Sequence, residues 1–350
     1  MKTFNINNLT RENIKKMKPY SSARDEFKDF DKNIIFLDAN ENPNENGVNR
    51  YPDPQQKKVK VALSEIKKVS VDQILLGNGS DEVLDLLFRA FCEPNNDNII
   101  SLPPTYGMYG VLANLNAIEN REVFLNIDFE PQIDKILSRV DDNTKIIFLC
   151  SPNNPTGNSF SDESIFTLLK IFNGIIVLDE AYIDFSENES WLSVVNDYPN
   201  LAIIQTLSKA YGMAGIRLGI LYASSEVISV LEKIKPPYNV NVLTQNKVLL
   251  HLENQEIIQK QIIEIKEQRD LLFKKLLNTN FVTNIYKTDA NFILFKVDNA
   301  NKRYNQFLEN GIVIRNRTNE SLCENCLRIT IGTEAENQIL IKVLKELDIN

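Results

Sequence analysis

Short apolar runs separated by helix-length amphipathic stretches recur from about Ile74 to Ser224, and this alternation restricts the fold more than any other feature of the chain. The runs are "QILLGN", "NIISLPP", "KIIFLCSP", "GIIVLDEAY", "LAIIQTLSK" and "RLGILYAS". Between them, segments such as "SDEVLDLLFRAFCE" and "SDESIFTLLKIF" repeat apolar residues at helical spacing. A strand that is apolar throughout is buried on both faces, and strands of this kind alternating with helices make a mainly parallel α/β sheet covered on each side. Several runs end in polar or glycine-containing turns: Gly77–Asn78–Gly79, Ser151–Pro152–Asn153–Asn154, Asp179–Glu180 and Ser208–Lys209. Ligands of open α/β sheets gather at the carboxyl ends of strands. These turns, distant in sequence, are therefore expected to face one site.

The pattern changes near Ile234, where "KIKPPYNVN" introduces two prolines and an asparagine-rich turn. A long helix is expected from about Thr244 to Leu277, followed by a strand ("ANFILFKV") and a helix ("KRYNQFLEN"). A strand pair ("IVIRNR" and "CLRITIGT") and a final helix from Glu334 to Leu347 complete the chain. The expected organisation is an N-terminal arm over 1–35, a large α/β domain over 36–238 and a smaller α+β domain over 239–350, the arm packing with the smaller domain.

With 350 residues, 43% of them hydrophobic and 25% charged, the chain has the composition of an ordinary globular protein. Its formal net charge of -8 argues against a nucleic-acid or anionic-membrane surface, which needs a basic footprint. No apolar stretch approaches the roughly 18 residues of a membrane span, and "MKTFNINNLTRENIKKMKPY" has no apolar core of a signal peptide. The four cysteines do not make a disulfide framework. Cys323 and Cys326 form a C-x-x-C with no second pair, which argues against zinc and leaves only a weak redox reading. A reducing, cytoplasmic home is expected. The single histidine, His251, lies in a helix-like run and reads as structural; no metal site is expected.

Five stretches carry candidate chemistry. "QTLSKAYGMAGIRLGI" places Lys209 among small and apolar residues, with Ser208 before it and Arg217 eight positions on. It reads either as a solvated lysine at a strand end or as an amine whose lowered pKa allows Schiff-base formation with an aldehyde. "LGNGSDEVLDLL" is a strand, a turn and a helix beginning near Ser80–Asp81, whose free N–H groups could hold a phosphate; Ser80 also reads simply as the helix N-cap. "PPTYGMYG" puts Tyr106 and Tyr109 after a strand, as packing aromatics or as a platform for a planar ring. "SPNNPTGN" is a rigid turn carrying Asn154, of interest only as a donor to a phenolate-type oxygen. "VLDEAYIDF" sets Asp179 at the end of an apolar strand with Tyr182 three residues on. Such a carboxylate is costly unless it meets a cation, and an internal ion pair or a cap explains it as well as a protonated ring nitrogen does.

One ligand unites the five: a phosphate, a planar ring with a ring nitrogen and an ionised oxygen, and an aldehyde, which is pyridoxal 5'-phosphate. The order N-P-T-G, D-E-A-Y, S-K-x-x-x-x-x-G-x-R resembles the fold-type I, class I/II pyridoxal-phosphate-dependent aminotransferases. Within them the chain is most similar to the histidinol-phosphate aminotransferases. That closer likeness rests on "KPYSSAR", "LDANENP", "RYPDP", "GSDEVLDLLFRAF", "PTYGMY", "SPNNPTG", "TLSKAYGMAGIRLG", "KPPYNVN", "ANFILF" and "LRITIGT", in order along nearly the whole chain. The segment "NRTNESLCENC" has no counterpart among these motifs.

The resemblance implies a mainly parallel, seven-stranded type of sheet in the large, cofactor-binding domain. It also implies roles. Lys209 would carry the cofactor and, once freed, move a proton; Asp179 would keep the ring nitrogen protonated. Tyr182 and Asn154 would bond the ring oxygen, and Tyr106 would stack on the ring. The cofactor phosphate would rest on the N–H groups of Ser80 and Asp81, with Ser208 and Arg217. Tyr51 would reach the neighbouring subunit's phosphate in a homodimer. Arg328 would bind the substrate carboxylate or phosphate, with Asn154 beside it and with Arg315 and Tyr20 as further phosphate contacts, although Arg315 also reads as a surface arginine. The implied reaction moves an amino group between histidinol phosphate and 2-oxoglutarate, giving imidazole-acetol phosphate and glutamate, in histidine biosynthesis. An aromatic aminotransferase and a decarboxylase of a phosphorylated amino acid are the alternatives; a non-catalytic regulator would lack a cofactor residue or carry an added DNA-binding domain.

Overall fold

The protein is described by a computed structural model over residues 4–19 and 35–349. Seven strands form the larger sheet: β1 (Ile74–Asn78), β2 (Asn98–Ser101), β3 (Glu119–Glu122), β4 (Thr144–Cys150), β5 (Ile175–Asp179), β6 (Leu201–Thr206) and β7 (Leu218–Ala223). Their order across the sheet is β1-β7-β6-β5-β4-β2-β3. The pairs β2–β3, β2–β4, β4–β5 and β5–β6 are parallel, whereas β7 runs antiparallel to both β6 and β1. Six strands thus share one direction and β7 opposes them, giving the mainly parallel sheet that the sequence predicts.

Alternate residues along β1, β4 and β5 feed two cores. Leu76, Ile147, Leu149, Ile176 and Leu178 pack on one face, while Leu75, Ile146, Phe148, Ile175 and Val177 pack on the other. Both faces are covered by helices, which is why these strands are apolar throughout rather than alternating. Two strands escape a reading based on apolar runs. The β3 segment, "ENRE", pairs only with β2, and β8 (Val282–Ile285), "VTNI", pairs only with β9. As edge strands with side chains toward water, they lack the apolar signal that marks the interior of a sheet.

The second sheet is four-stranded and antiparallel, ordered β10-β11-β9-β8, where β9 is Phe292–Val297, β10 Arg315–Asn316 and β11 Cys326–Thr330. One of its faces packs Ile293, Phe295, Leu327 and Ile329 against the helices Gln255–Leu277 and Glu334–Ile349. The strand expected at "IVIRNR" shrinks to Arg315–Asn316. The long helix expected from Thr244 to Leu277 is two, Val242–Leu252 and Gln255–Leu277. Asn254 separates them: its side-chain amide donates to the Leu250 carbonyl at 2.9 Å, a local bond of the kind that competes with helix continuation.

The direction of the strands decides where a site can form. The carboxyl ends of β1, β2, β4, β5 and β6 lie along one edge of the sheet. Because β7 is reversed, its amino end reaches that edge instead, and Arg217, immediately before Leu218, arrives there with it. Space at this edge depends on Gly219 of β7. A Cβ there would collide with the backbone of Gly79 and Ser80, the start of the helix Ser80–Phe91. Gly219→Ala should therefore destabilise the fold by about 1–3 kcal/mol through overpacking; a denaturant titration of the variant against the parent protein measures it.

Candidate active site

Five turns meet at this edge around a cavity of about 160 Å³. Ser80 and Asp81 begin the helix after β1, with Gly79 as its N-cap at φ 81°. Ser80 is thus the first helical residue and not the cap, a correction to one reading of the sequence. Gly79 is needed twice over: its backbone is left-handed, and a Cβ on it would lie 2.5 Å from Nη2 of Arg217. Arg217 has φ 57° and carries its guanidinium to 4.0 Å from Oδ2 of Asp81. The helix start, Ser208 and Arg217 all line the cavity, placing positive dipole and positive charge on one wall.

Tyr106 forms another wall. Its hydroxyl donates to Oδ1 of Asp81 at 3.0 Å, and its ring meets the Tyr109 ring edge-on at 5.7 Å. The turn that carries it is fastened to the Ser151–Asn158 turn: Oγ1 of Thr105 donates to Oδ1 of Asn153 at 3.1 Å, and the Asn153 amide donates to the Pro104 carbonyl at 2.9 Å. Asn153 is fully buried by these bonds, so its neighbour Asn154 is held at the cavity wall.

Asp179 closes the cavity from below. It is 3% exposed. One oxygen accepts the Tyr109 hydroxyl at 2.8 Å and the other accepts the Ala181 N–H at 3.1 Å. No guanidinium or ammonium pairs with it among the described residues, and burial pushes its pKa up to about 6 against the pull of those two donors. A buried carboxylate in this condition suits a cationic partner. A protonated ring nitrogen would supply one, so the residues fit pyridoxal 5'-phosphate, the cofactor that the sequence resemblance implies.

Lys209 and Tyr182 complete the lining. Nζ of Lys209 stands 5.5 Å from the centre of the Tyr182 ring. Burial first, and then the Arg328 guanidinium, lower the pKa of this lysine, while Asp179 opposes them. A larger fraction of its amine is therefore free base than for an exposed lysine, the state that bonds to an aldehyde. Behind Asp179, the buried Glu180 accepts from Oγ of Ser190 at 2.6 Å and from the Gln205 amide at 2.8 Å. It thereby fastens β6, which leads into Lys209.

The smaller sheet contributes from above. Arg328 on β11 donates to Oδ1 of Asn154 and lies with its guanidinium carbon 4.9 Å from the Phe292 ring centre. Burial, then the repulsion of Arg317, brings its pKa down to about 10. A guanidinium in this state gains from any anion placed beside it.

A family model for aminotransferase class I and II matches residues 4–344. The chain belongs to that family. A histidinol-phosphate aminotransferase of Flavobacterium johnsoniae is 69% identical over 349 residues, covering 99% of this chain and all of the relative. One from Flavobacterium psychrophilum is 65% identical, with 99% and 100% covered. Among solved structures, the histidinol-phosphate aminotransferase of Clostridium acetobutylicum superposes with a TM-score of 0.80 at 25% identity, over 87% of this chain and 92% of that one.

Not every residue picked from the sequence of this aminotransferase reaches the cavity. Ser80, Asp81, Tyr106 and Asn154 line it, as do Asp179, Tyr182, Ser208, Lys209 and Arg217, and Arg328 joins through Asn154. Arg315 is exposed and faces Arg328 across the β10–β11 ladder. Tyr51 does not line the cavity; its ring stacks on Tyr238 at 4.5 Å. Tyr20 lies outside the described residues. Tyr109 and Glu180 were visible in their motifs, but their partners were not, because hydrogen bonds to residues 70 and 25 positions away leave no local pattern. Nε2 of His251 donates to the Tyr211 carbonyl, 2.9 Å away.

The state of Asp179 has a thermodynamic consequence. Between its ordinary 3.8 and about 6, the folded protein holds a proton that the unfolded chain has released, so stability falls as pH rises through that window. In the cofactor-free protein, melts near pH 4 and pH 7 should show a loss on the order of 2–3 kcal/mol that Asp179→Asn removes. Tyr109→Phe takes away a donor that favours the charged form and should extend the loss to higher pH.

Proposed function

We propose that this aminotransferase transfers an amino group between histidinol phosphate and 2-oxoglutarate, the reaction of histidine biosynthesis. The observation that carries the reading is that a buried Asp179 with no ion-pair partner among the described residues and a Lys209 whose pKa is lowered by burial line one small cavity, under an anion-seeking Arg328. The names and high identity of the relatives over the full chain support the substrate. When bound, pyridoxal 5'-phosphate supplies an aldehyde that carries the amino group and a ring that accepts the electron pair released at the substrate carbon.

The chain's own residues do the rest. Nζ of Lys209 would tether the cofactor and, once free, would take the proton from the substrate's amine-bearing carbon and hold it for return as the amino group changes carrier. Asp179 would hold the ring nitrogen in its cationic form, and the Tyr109 hydroxyl keeps that carboxylate oriented. Tyr182 and Asn154 would serve the ring oxygen, Tyr106 would cover the ring face, and the helix start at Ser80–Asp81 with Ser208 and Arg217 would take the cofactor phosphate. Arg328 grips the α-carboxylate of glutamate in one half-reaction and the phosphomonoester in the other, since a guanidinium fits either oxyanion; Tyr20 and Arg315 belong to the same reading as further phosphate contacts.

The reading extends to assembly. Tyr51 is 48% exposed, and Ile35, Leu37 and Val48 near it in sequence are also exposed, Leu37 at 87%. An apolar stretch of this kind, with a tyrosine that does not serve its own cavity, supports a homodimer in which Tyr51 reaches the neighbour's cofactor phosphate. The division into a cofactor domain (36–238) and a smaller domain (239–350) is supported by the two separate sheets on either side of residue 238; the arm (1–35), expected to pack with the smaller domain, instead sets Ile6 and Ile14 into the core of the larger one and donates from Arg11 to Glu93. Four buried free thiols suit a reducing cytoplasm. No helix among the described residues is long and apolar enough to cross a membrane.

Lys209→Ala should abolish both turnover and the visible absorption of the bound cofactor; a normal spectrum and rate in that variant would remove the lysine from the mechanism. A steady-state comparison of histidinol phosphate, phenylalanine and tyrosine as donors to 2-oxoglutarate tests the substrate. Histidinol phosphate should give the highest kcat/KM, and release of carbon dioxide in place of amino transfer would count against the whole reading.

A further inference from the structure

The segment "NRTNESLCENC", between β10 and β11, places a second buried cluster beside the cavity. Arg317 is tied into the smaller sheet by its backbone, which donates to the Cys326 carbonyl at 2.9 Å. Among the described residues its guanidinium is held at one point: Nη1 donates to Oε1 of Glu320 at 2.6 Å. Nε of Arg317, Oε2 of Glu320 and Oγ of Ser321 are all buried and have no hydrogen-bond partner among the described residues. Such atoms are completed in native folds by water or a bound group, and two of the three, Nε of Arg317 and Oγ of Ser321, can donate to an anion, whereas Oε2 of Glu320 can only accept. The three side chains line a trough of about 580 Å³ whose wall also includes Tyr106 and Asn154. Those same two residues line the cofactor cavity. The trough therefore opens onto the place where a substrate must sit.

We infer that Arg317, with Ser321, is a specificity-determining contact for the substrate's phosphate, and that Glu320 occupies Arg317 when the site instead holds glutamate. The inference rests on the functional reading above and deepens it. The two substrates differ in what they present to Arg328: a planar carboxylate with one charge and two oxygens, or a phosphomonoester with up to two charges and three terminal oxygens. One guanidinium satisfies the carboxylate by a bidentate pair. The phosphate has a further oxygen and further charge to place. Arg317 is near enough to Arg328 to be its principal source of repulsion, so an anion between the two relieves both. With the smaller anion, that second guanidinium would remain a surplus buried charge were Glu320 not beside it. The Arg317 side chain keeps 25% of its surface open, on the side that lines the trough.

The test compares Arg317→Gln with the parent holoenzyme, using histidinol phosphate and glutamate as alternative amino donors. The ratio of kcat/KM for histidinol phosphate over that for glutamate should fall at least about tenfold, the loss expected for a charged hydrogen-bond partner. Calorimetric binding of inorganic phosphate to the holoenzyme should weaken in parallel. Arg317→Lys, which keeps the charge and loses the fork, should fall between the two and serves if the glutamine variant fails to fold. An equal loss for both donors, or a ratio that does not move, overturns the inference while leaving the substrate reading intact. A parent enzyme that ignores histidinol phosphate overturns the substrate reading, and this inference with it.

Discussion

A single unpaired carboxylate organises this molecule. Asp179 ends the central strand of the larger sheet, buried from solvent, with a tyrosine hydroxyl and a backbone N–H as its donors and no ion-pair partner among the described residues. Folding alone does not compensate its burial. The surrounding structure holds the residue in place: Phe148 stacks on the Tyr109 ring at 4.8 Å, and the helix that carries Tyr109 packs against the sheet. The protein thus keeps an electrostatic deficit at the floor of the cavity, which a positively charged ring removes on binding. Stability is lost in the empty state and regained as affinity.

The same economy of charge runs through the upper wall. Arg328, Arg317 and Arg315 converge from two short strands and the segment between them, with Lys209 below. Like charges this close raise the energy of the empty site and lower that of a site filled by an anion. Fold and function meet in the direction of the strands: parallel strands deliver the floor, the reversed β7 delivers Arg217, and the second sheet delivers Arg328. No one segment of the chain could form the site by itself.

How much of this could be read from the chain followed from the physical range of each signal. The buried strands announced themselves through continuous apolar runs, and the residues at their ends were found because a parallel sheet collects them at one edge. The edge strands "ENRE" and "VTNI" were silent, since a strand with wet side chains carries no apolar pattern. Ser80 looked like a cap because its side chain suits one, yet the glycine before it takes that place with a backbone φ of 81°. The helix break at Asn254 depended on a single side-chain bond, too local for a periodicity argument to register. In the site, residue types were legible and partnerships were not: the Tyr109–Asp179 and Asn154–Arg328 contacts join residues 70 and 174 positions apart. Arg317 and Glu320 lay in the one stretch that matched no motif, and only three-dimensional placement beside Asn154 and Tyr106 drew attention to them.

The reversed strand has a bearing on how faithfully the site is reproduced from one molecule to the next. β7 is zipped on both flanks, Gly219 standing opposite Thr206 on one side and Gly77 on the other. Sliding it by a single position would turn every one of its side chains to the opposite layer and drive a bulky residue into the backbone where the glycine now passes. Misregistration is thus penalised three times over, by two ladders and by one steric stop. The guanidinium at its leading end inherits that accuracy without needing any contact of its own to enforce it.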